Sequence, residues 1–109
     1  MTSYIASPRV PGYGASKAAI LQMTKSLAEL YAPEGIRVNA IAPGWIETNL
    51  TNPLSTIDEF KARIIDRTPM RRWGTPQDLA GTALYLASPA LAGFVTGVTI
   101  PVDGGYIAC

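Results

Sequence analysis

Ile36-Arg37-Val38-Asn39-Ala40-Ile41-Ala42-Pro43-Gly44 is a run of β-branched and small apolar residues that a Pro-Gly pair cuts short. It reads as a buried strand over 36–42 that opens into a loop. Upstream, Ala15, Ala18, Ala19, Met23, Leu27 and Leu30 recur at helical spacing, which predicts a helix over 13–31 with those residues as its apolar stripe. The Ala, Leu, Lys and Glu content of that segment agrees. Pro33 and Gly35 mark its exit, Gly35 through a left-handed turn. Downstream, 98–102 reads as a short strand. Strand, long helical crossover, strand is a βαβ unit and predicts a parallel pair.

The crossover begins with a long excursion over 45–73 that contains its own short helix. Ser55 or Thr56 is suited to cap that helix, with Asp58 or Glu59 completing a capping box. Phe60 and Ile64 then form an i,i+4 apolar pair. Thr75-Pro76-Gln77-Asp78 starts the next helix, with Thr75 as N-cap, Pro76 in the first turn and Asp78 near the positive end of the dipole. Leu79, Ala83, Leu86 and Ala87 are its expected stripe, and Ser88-Pro89 closes it.

Composition excludes several function classes. Nine basic and eight acidic residues leave no field for nucleic acid or an anionic membrane. No apolar run approaches a bilayer span, and no basic segment with an apolar core opens the chain as a secretory signal would. Cys109 stands alone at the end and histidine is absent, so neither a disulfide framework nor a metal cluster is expected. Asn49-Leu50-Thr51 matches a glycosylation sequon, read as accidental without a secretory signal. A cytoplasmic protein is expected.

Chemistry points to Tyr13-Gly14-Ala15-Ser16-Lys17. A tyrosine and a lysine four residues apart stand one above the other on a helix. The ammonium then stabilises the phenolate left when the tyrosine gives up its proton, which makes a general acid/base without histidine. The spacing alone is equally met by a helix with one packed aromatic and one solvated lysine.

More of the chain joins that pair. Arg37-Val38-Asn39-Ala40-Ile41-Ala42-Pro43-Gly44-Trp45-Ile46-Glu47-Thr48 follows it, then Arg72-Trp73-Gly74-Thr75-Pro76-Gln77-Asp78-Leu79, then Thr96-Gly97-Val98-Thr99-Ile100-Pro101-Val102-Asp103-Gly104-Gly105. In that order the set resembles the C-terminal half of the short-chain dehydrogenases/reductases, among them the gluconate 5-dehydrogenase and 3-oxoacyl reductase-like members. The resemblance covers essentially all of 1–109 and implies part of a doubly wound, Rossmann-type α/β domain, truncated.

It also implies a role for each matching residue. Tyr13 is the proton donor or acceptor at a carbonyl or alcohol oxygen, and Lys17 bonds the nicotinamide ribose of NAD or NADP. Pro43 and Gly44 lie against the nicotinamide, the backbone at Ile46 bonds its carboxamide, and Thr48 assists. The region 49–72 is the substrate loop, with Trp45, Met70 and Trp73 as pocket residues or, alternatively, packing. Arg71 and Arg72 are read as a solvated pair or, alternatively, as contacts for an acidic substrate, and Asn39, Ser16 and Asp103-Gly104-Gly105 as structural. The substrate is a small carbonyl or alcohol, and the partner another copy or a full-length homologue.

The glycine-rich dinucleotide turn of the family does not occur here, and the position of its catalytic serine, thirteen residues before Tyr13, falls before Met1. Ser3 and Ser7 stand nearer than that spacing. Met1 is therefore expected to be an internal methionine or the start of a truncated gene. The chain alone is expected to be inactive, marginally stable and prone to associate, serving otherwise as a non-catalytic relic or interaction module.

Overall fold

Pro11 opens the first helix, α1 (Pro11–Tyr31), two residues before its expected start. Proline suits this place because its fixed φ is already helical and the first-turn N–H has no helical partner to lose. A 3₁₀ turn at Ala32–Glu34 and Gly35, at φ 75°, end the helix as expected. The computed structural model describes residues 1–108.

The inward face of α1 differs from the expected stripe. Thr24 and Ala28 are buried, and Gly14, Lys17, Leu21 and Leu27 are partly so. Ala15, Ala18 and Ala19 face outward, while Met23 and Leu30 are 54% and 61% exposed. At about 100° per residue the two faces lie on roughly opposite sides of the helix, with Leu27 shared at their edge. Thr24 tolerates burial because its hydroxyl donates to Ile20 O at 2.8 Å, and small Ala28 lies close to the backbone at Gly97.

Strand β1 (Ala40–Pro43) pairs in parallel with β2 (Thr99–Val102), in register Ala40↔Thr99 through Pro43↔Val102. The expected ladder over 36–39 thins to one backbone bond, Gly97 N donating to Val38 O at 2.8 Å, supplemented by side-chain stitching. Asn39 Nδ2 donates to Val95 O at 2.9 Å, and Val98 N donates to Asn39 Oδ1 at 3.2 Å. Gly97, at φ 74°, turns the partner chain there, so a side chain supplies what a regular strand cannot.

Between the strands lie α2 (Asn52–Ser55), α3 (Asp58–Arg67), α4 (Pro76–Ala87) and α5 (Pro89–Ala92). The expected capping of α3 does not occur. Ile57 stands at its N-cap, and the Ser55 and Thr56 hydroxyls donate back to Asn52 O and Pro53 O within the preceding turn. Thr75 does start α4: its N–H donates to Asp78 Oδ2 at 2.6 Å, and its hydroxyl donates to the same oxygen at 3.0 Å. The inward side of α4 is Leu79, Thr82 and Leu86, whereas Ala83 and Ala87 are exposed.

The core is aromatic and lies beside the sheet. Ile64, Trp73 and Tyr106 are buried there, with Trp45, Phe60 and Ile5 packed against them. Trp45 meets Phe60 edge-on at 5.2 Å and Trp73 at 5.5 Å, favourable separations for aromatic quadrupoles. This core is small for the chain. The accessible surface is 7163 Å², against about 5,800 Å² for a compact monomer of this mass. The radius of gyration is 15.5 Å, against about 13 Å expected.

Candidate active site

The first turns of α1 place Tyr13 and Lys17 beside the carboxyl end of β1. Lys17 Nζ lies 5.3 Å from the centroid of the Tyr13 ring, a cation–π placement. Tyr13 is 53% exposed, and Lys17 is half-buried. Ser16, between them, donates its hydroxyl to Tyr13 O at 2.8 Å and so is committed to the helix backbone.

A cleft of about 320 Å³ opens here, lined by Tyr13, Lys17, Ser3, Ala42, Pro43 and Gly44 among others. Gly14 lets the leading segment approach, since a Cβ there would stand 3.2 Å from Thr2 O. Gly44 is tighter still: a Cβ would stand 2.5 Å from Asp103 Cα, so any side chain would drive the strand exit away from the turn after β2. Spacing had set Ser3 aside, yet its half-buried side chain lies in this cleft. No sequence signal marks it, because a turn in which Tyr4 N donates to Met1 O brings it there.

Beyond Gly44 the chain runs through Trp45 to Thr48. Ile46 is buried and bridges to Gly74; Glu47 N donates to Gly74 O at 2.9 Å and Gly74 N to Trp45 O at 2.8 Å. The Ile46 carbonyl accepts from the Thr51 hydroxyl at 2.6 Å. Its N–H donates to no described residue. Thr48 is exposed, with its hydroxyl 3.1 Å from that of Thr51.

A second cavity, about 240 Å³, lies on the other side of Gly44, between the 44–46 and 68–72 segments and the turn after β2. Trp45 and Met70 line it. Trp73 does not: it is 4% exposed and belongs to the core, because the bridge between Ile46 and Gly74 turns the neighbouring indole inward. Of the two readings left open for Trp73, pocket or packing, the described residues place it in packing. Asp103 shapes the cavity rim, accepting from Gly105 N at 2.9 Å and Ile107 N at 3.0 Å, with Gly104 and Gly105 at positive φ.

Arg71 and Arg72 are each paired with an aspartate rather than free. Arg71 Nη1 meets Asp66 Oδ1 at 2.6 Å. Arg72 grips both Asp78 oxygens, at 2.7 and 2.8 Å, and that hydrogen bonding together with the Thr75 donors holds the Asp78 carboxyl far below the usual carboxylate range. A carboxyl depressed on folding adds stability that is present above its unfolded value, about pH 3.9, and fades as pH falls toward the folded one. Asp78→Asn is therefore expected to lower the melting temperature at pH 7, with the gap from wild type closing below about pH 4. Thermal melts of both proteins from pH 2 to 7 check this; a constant gap would contradict it.

Among the described residues no cluster of three His, Cys, Asp or Glu side chains could hold a metal, and no helix is long and apolar enough to cross a membrane. A parallel, helix-connected pair with a cleft at the carboxyl end of its first strand fits part of a Rossmann-type α/β sheet, where ligands gather at strand carboxyl ends.

The comparisons agree with that class. The family profile described as enoyl-(acyl carrier protein) reductase matches residues 1–107. A 2-dehydro-3-deoxy-D-gluconate 5-dehydrogenase of Dickeya dadantii is 48% identical over 108 residues, covering 99% of this chain and 42% of its own length. A galactitol 2-dehydrogenase (L-tagatose-forming) of Cereibacter sphaeroides is 48% identical over 94 residues, 86% of this chain and 37% of its own. The crystal structure of a gluconate 5-dehydrogenase from Burkholderia cenocepacia, in complex with NADP and tartrate, superposes with a TM-score of 0.95 at 39% identity, over 99% of this chain and 42% of that one. The chain belongs to the short-chain dehydrogenase/reductase family and spans about two-fifths of the length of the relatives it matches.

Proposed function

We propose that residues 1–109 supply the Tyr/Lys helix, substrate loop and two strands of an NAD(P)-dependent oxidoreductase that interconverts a secondary alcohol and a ketone. The supporting observation is the single cleft that holds Tyr13, Lys17 and the Pro43-Gly44 strand exit together. The residues fit a nicotinamide group: Tyr13, Lys17, Pro43 and Gly44 line one cleft, and the Ile46 N–H stands without a described acceptor. Lys17, Pro43, Gly44, Ile46 and Thr48 would hold it. When bound, such a group supplies the hydride for ketone reduction and accepts one in alcohol oxidation.

The chain's own residues handle the proton. In reduction, the Tyr13 hydroxyl gives its proton to the carbonyl oxygen as the carbon is reduced, and the Lys17 ammonium stabilises the phenolate left behind. In oxidation Tyr13 takes the proton back. Trp45 and Met70 line the neighbouring cavity, which with the 49–72 segment would bound the substrate side. The relatives' names favour small polyhydroxy acids or polyols as substrates. Ketone-dependent oxidation of NADH or NADPH by the complete polypeptide tests this reading; nucleotide and ketone present without turnover would overturn it.

The outward face of α1 favours a second reading, association with a homologous chain. Ala15, Ala18, Ala19, Met23 and Leu30 lie exposed together on one long helix. The surplus surface of about 1,300 Å² over a compact monomer exceeds the roughly 800 Å² that one partner buries in a standard interface. Sedimentation of the 109-residue chain is expected to show dimers or larger species that Met23→Lys with Leu30→Lys dissociates. A wild-type monomer at tens of micromolar, a concentration chosen as about a hundred times a tight dimer's Kd, would count against it.

A further inference from the structure

We propose that Thr2 and Ser3 form a hydroxyl-reading subsite that selects substrates with further hydroxyl groups beside the reacting carbon. The inference rests on the oxidoreductase reading above. Both residues are half-buried and line the cleft that holds Tyr13 and Lys17. Neither hydroxyl bonds a described residue. Other hydroxyls around the two cavities are already committed. Ser16, beside the cleft, donates to Tyr13 O at 2.8 Å, and Thr68, in the second cavity, donates to Ile64 O at 2.7 Å.

The leading segment is a turn with both feet on the core. Met1 and Ile5 pack against the aromatic cluster, and Tyr4 N and Ile5 N donate to Met1 O at 2.8 and 3.2 Å. Thr2 and Ser3 stand on the crest between them. Thr2 also lies against the first turn of α1, where a Cβ on Gly14 would stand 3.2 Å from Thr2 O. Packing and backbone bonds therefore hold the two residues in place, and their hydroxyls stay free. A hydroxyl offers one donor and two acceptor sites and rotates to suit its partner. Two of them on successive residues match a ligand that bears hydroxyls on successive carbons. Among the described residues no carboxylate, amide or guanidinium side chain lines this cleft. With the Tyr13 hydroxyl assigned to the reacting oxygen, Thr2 and Ser3 are left for the neighbouring ones.

The test compares two alcohols of equal chain length with the complete polypeptide, a hexitol and a secondary hexanol that has no further hydroxyl. Thr2→Val with Ser3→Ala removes both hydroxyls; Thr2→Ser with Ser3→Thr exchanges them and keeps both. The first pair is expected to cut the hexitol-over-hexanol ratio of kcat/KM by about ten- to a hundredfold, or about three- to tenfold for each hydrogen bond lost. The exchanged pair is expected to keep the wild-type ratio. The Kd for NADH and NADPH, by fluorescence titration, is expected to stay the same in both. An unchanged ratio in the first pair, a lost preference in the exchanged pair, or weakened nucleotide binding would overturn the subsite and leave the oxidoreductase reading intact. Oxidation of neither alcohol by the wild type with NAD or NADP would overturn both.

Discussion

Tyr13→Phe is expected to lower the turnover of ketone reduction by about 10²–10⁴-fold, the usual contribution of a positioned general acid. The variant removes one hydroxyl and keeps the ring over which Lys17 stands at 5.3 Å, so the cleft wall and the cation–π contact persist. Nucleotide affinity should therefore stay nearly constant, and kcat and kcat/KM should fall together, the signature of an interaction made in the transition state. Single-turnover kinetics with NADPH and Kd by titration separate the two effects. A Tyr13→Phe protein with near-wild-type turnover would remove the tyrosine from the chemistry, and with it the observation on which the proposed function stands.

Trp73→Ala is expected to destabilise the protein by about 3–5 kcal/mol, the cost of deleting a large buried aromatic. Trp73 is 4% exposed and sits between Ile64, Tyr106 and Trp45. With a core this small, the loss approaches the whole of an ordinary domain's stability of about 5–15 kcal/mol. Chemical or thermal unfolding should show a chain that is largely unfolded at room temperature. Trp73→Phe should cost far less, because the indole Nε1 is buried without a partner and its removal relieves an unpaired donor. Met70→Ala, at a side chain 63% exposed, should change stability by no more than about 0.5 kcal/mol. Equal effects at positions 70 and 73 would contradict the assignment of Trp73 to the core.

Trp73 shows where a linear reading leaves alternatives open. Trp45, Met70 and Trp73 look alike in sequence, as large apolar residues flanking one loop. Only the bridge between Ile46 and Gly74 decides that Trp73 turns inward while Trp45 and Met70 reach the cavity. The α1 stripe failed for a related reason. Helical periodicity marks that faces exist, but Ala, Gly and Thr carry too little hydropathy contrast to say which face is covered. Close approach to Gly97 favours small Ala28, and the backbone bond of Thr24 makes its burial cheap. The caps behave oppositely at two places. Thr75 with Asp78 works as read, whereas Ser55 and Thr56 are drawn into a preceding turn that no local signal announces.

By itself the sequence determined the parallel βαβ order, the stops at Gly35 and Pro43-Gly44, the start of α4, and the Tyr13/Lys17 pair on one helix face. Each rests on short-range physics: fixed φ, left-handed turns, capping and the 3.6-residue period. The tertiary structure alone decided that Ser3 enters the cleft, that Thr51 ties the loop at Ile46, and that Arg72 is spent on Asp78. Those outcomes depend on which of several chemically suitable donors and acceptors the packed backbone brings within 3 Å, a distance that residue type and local spacing do not encode.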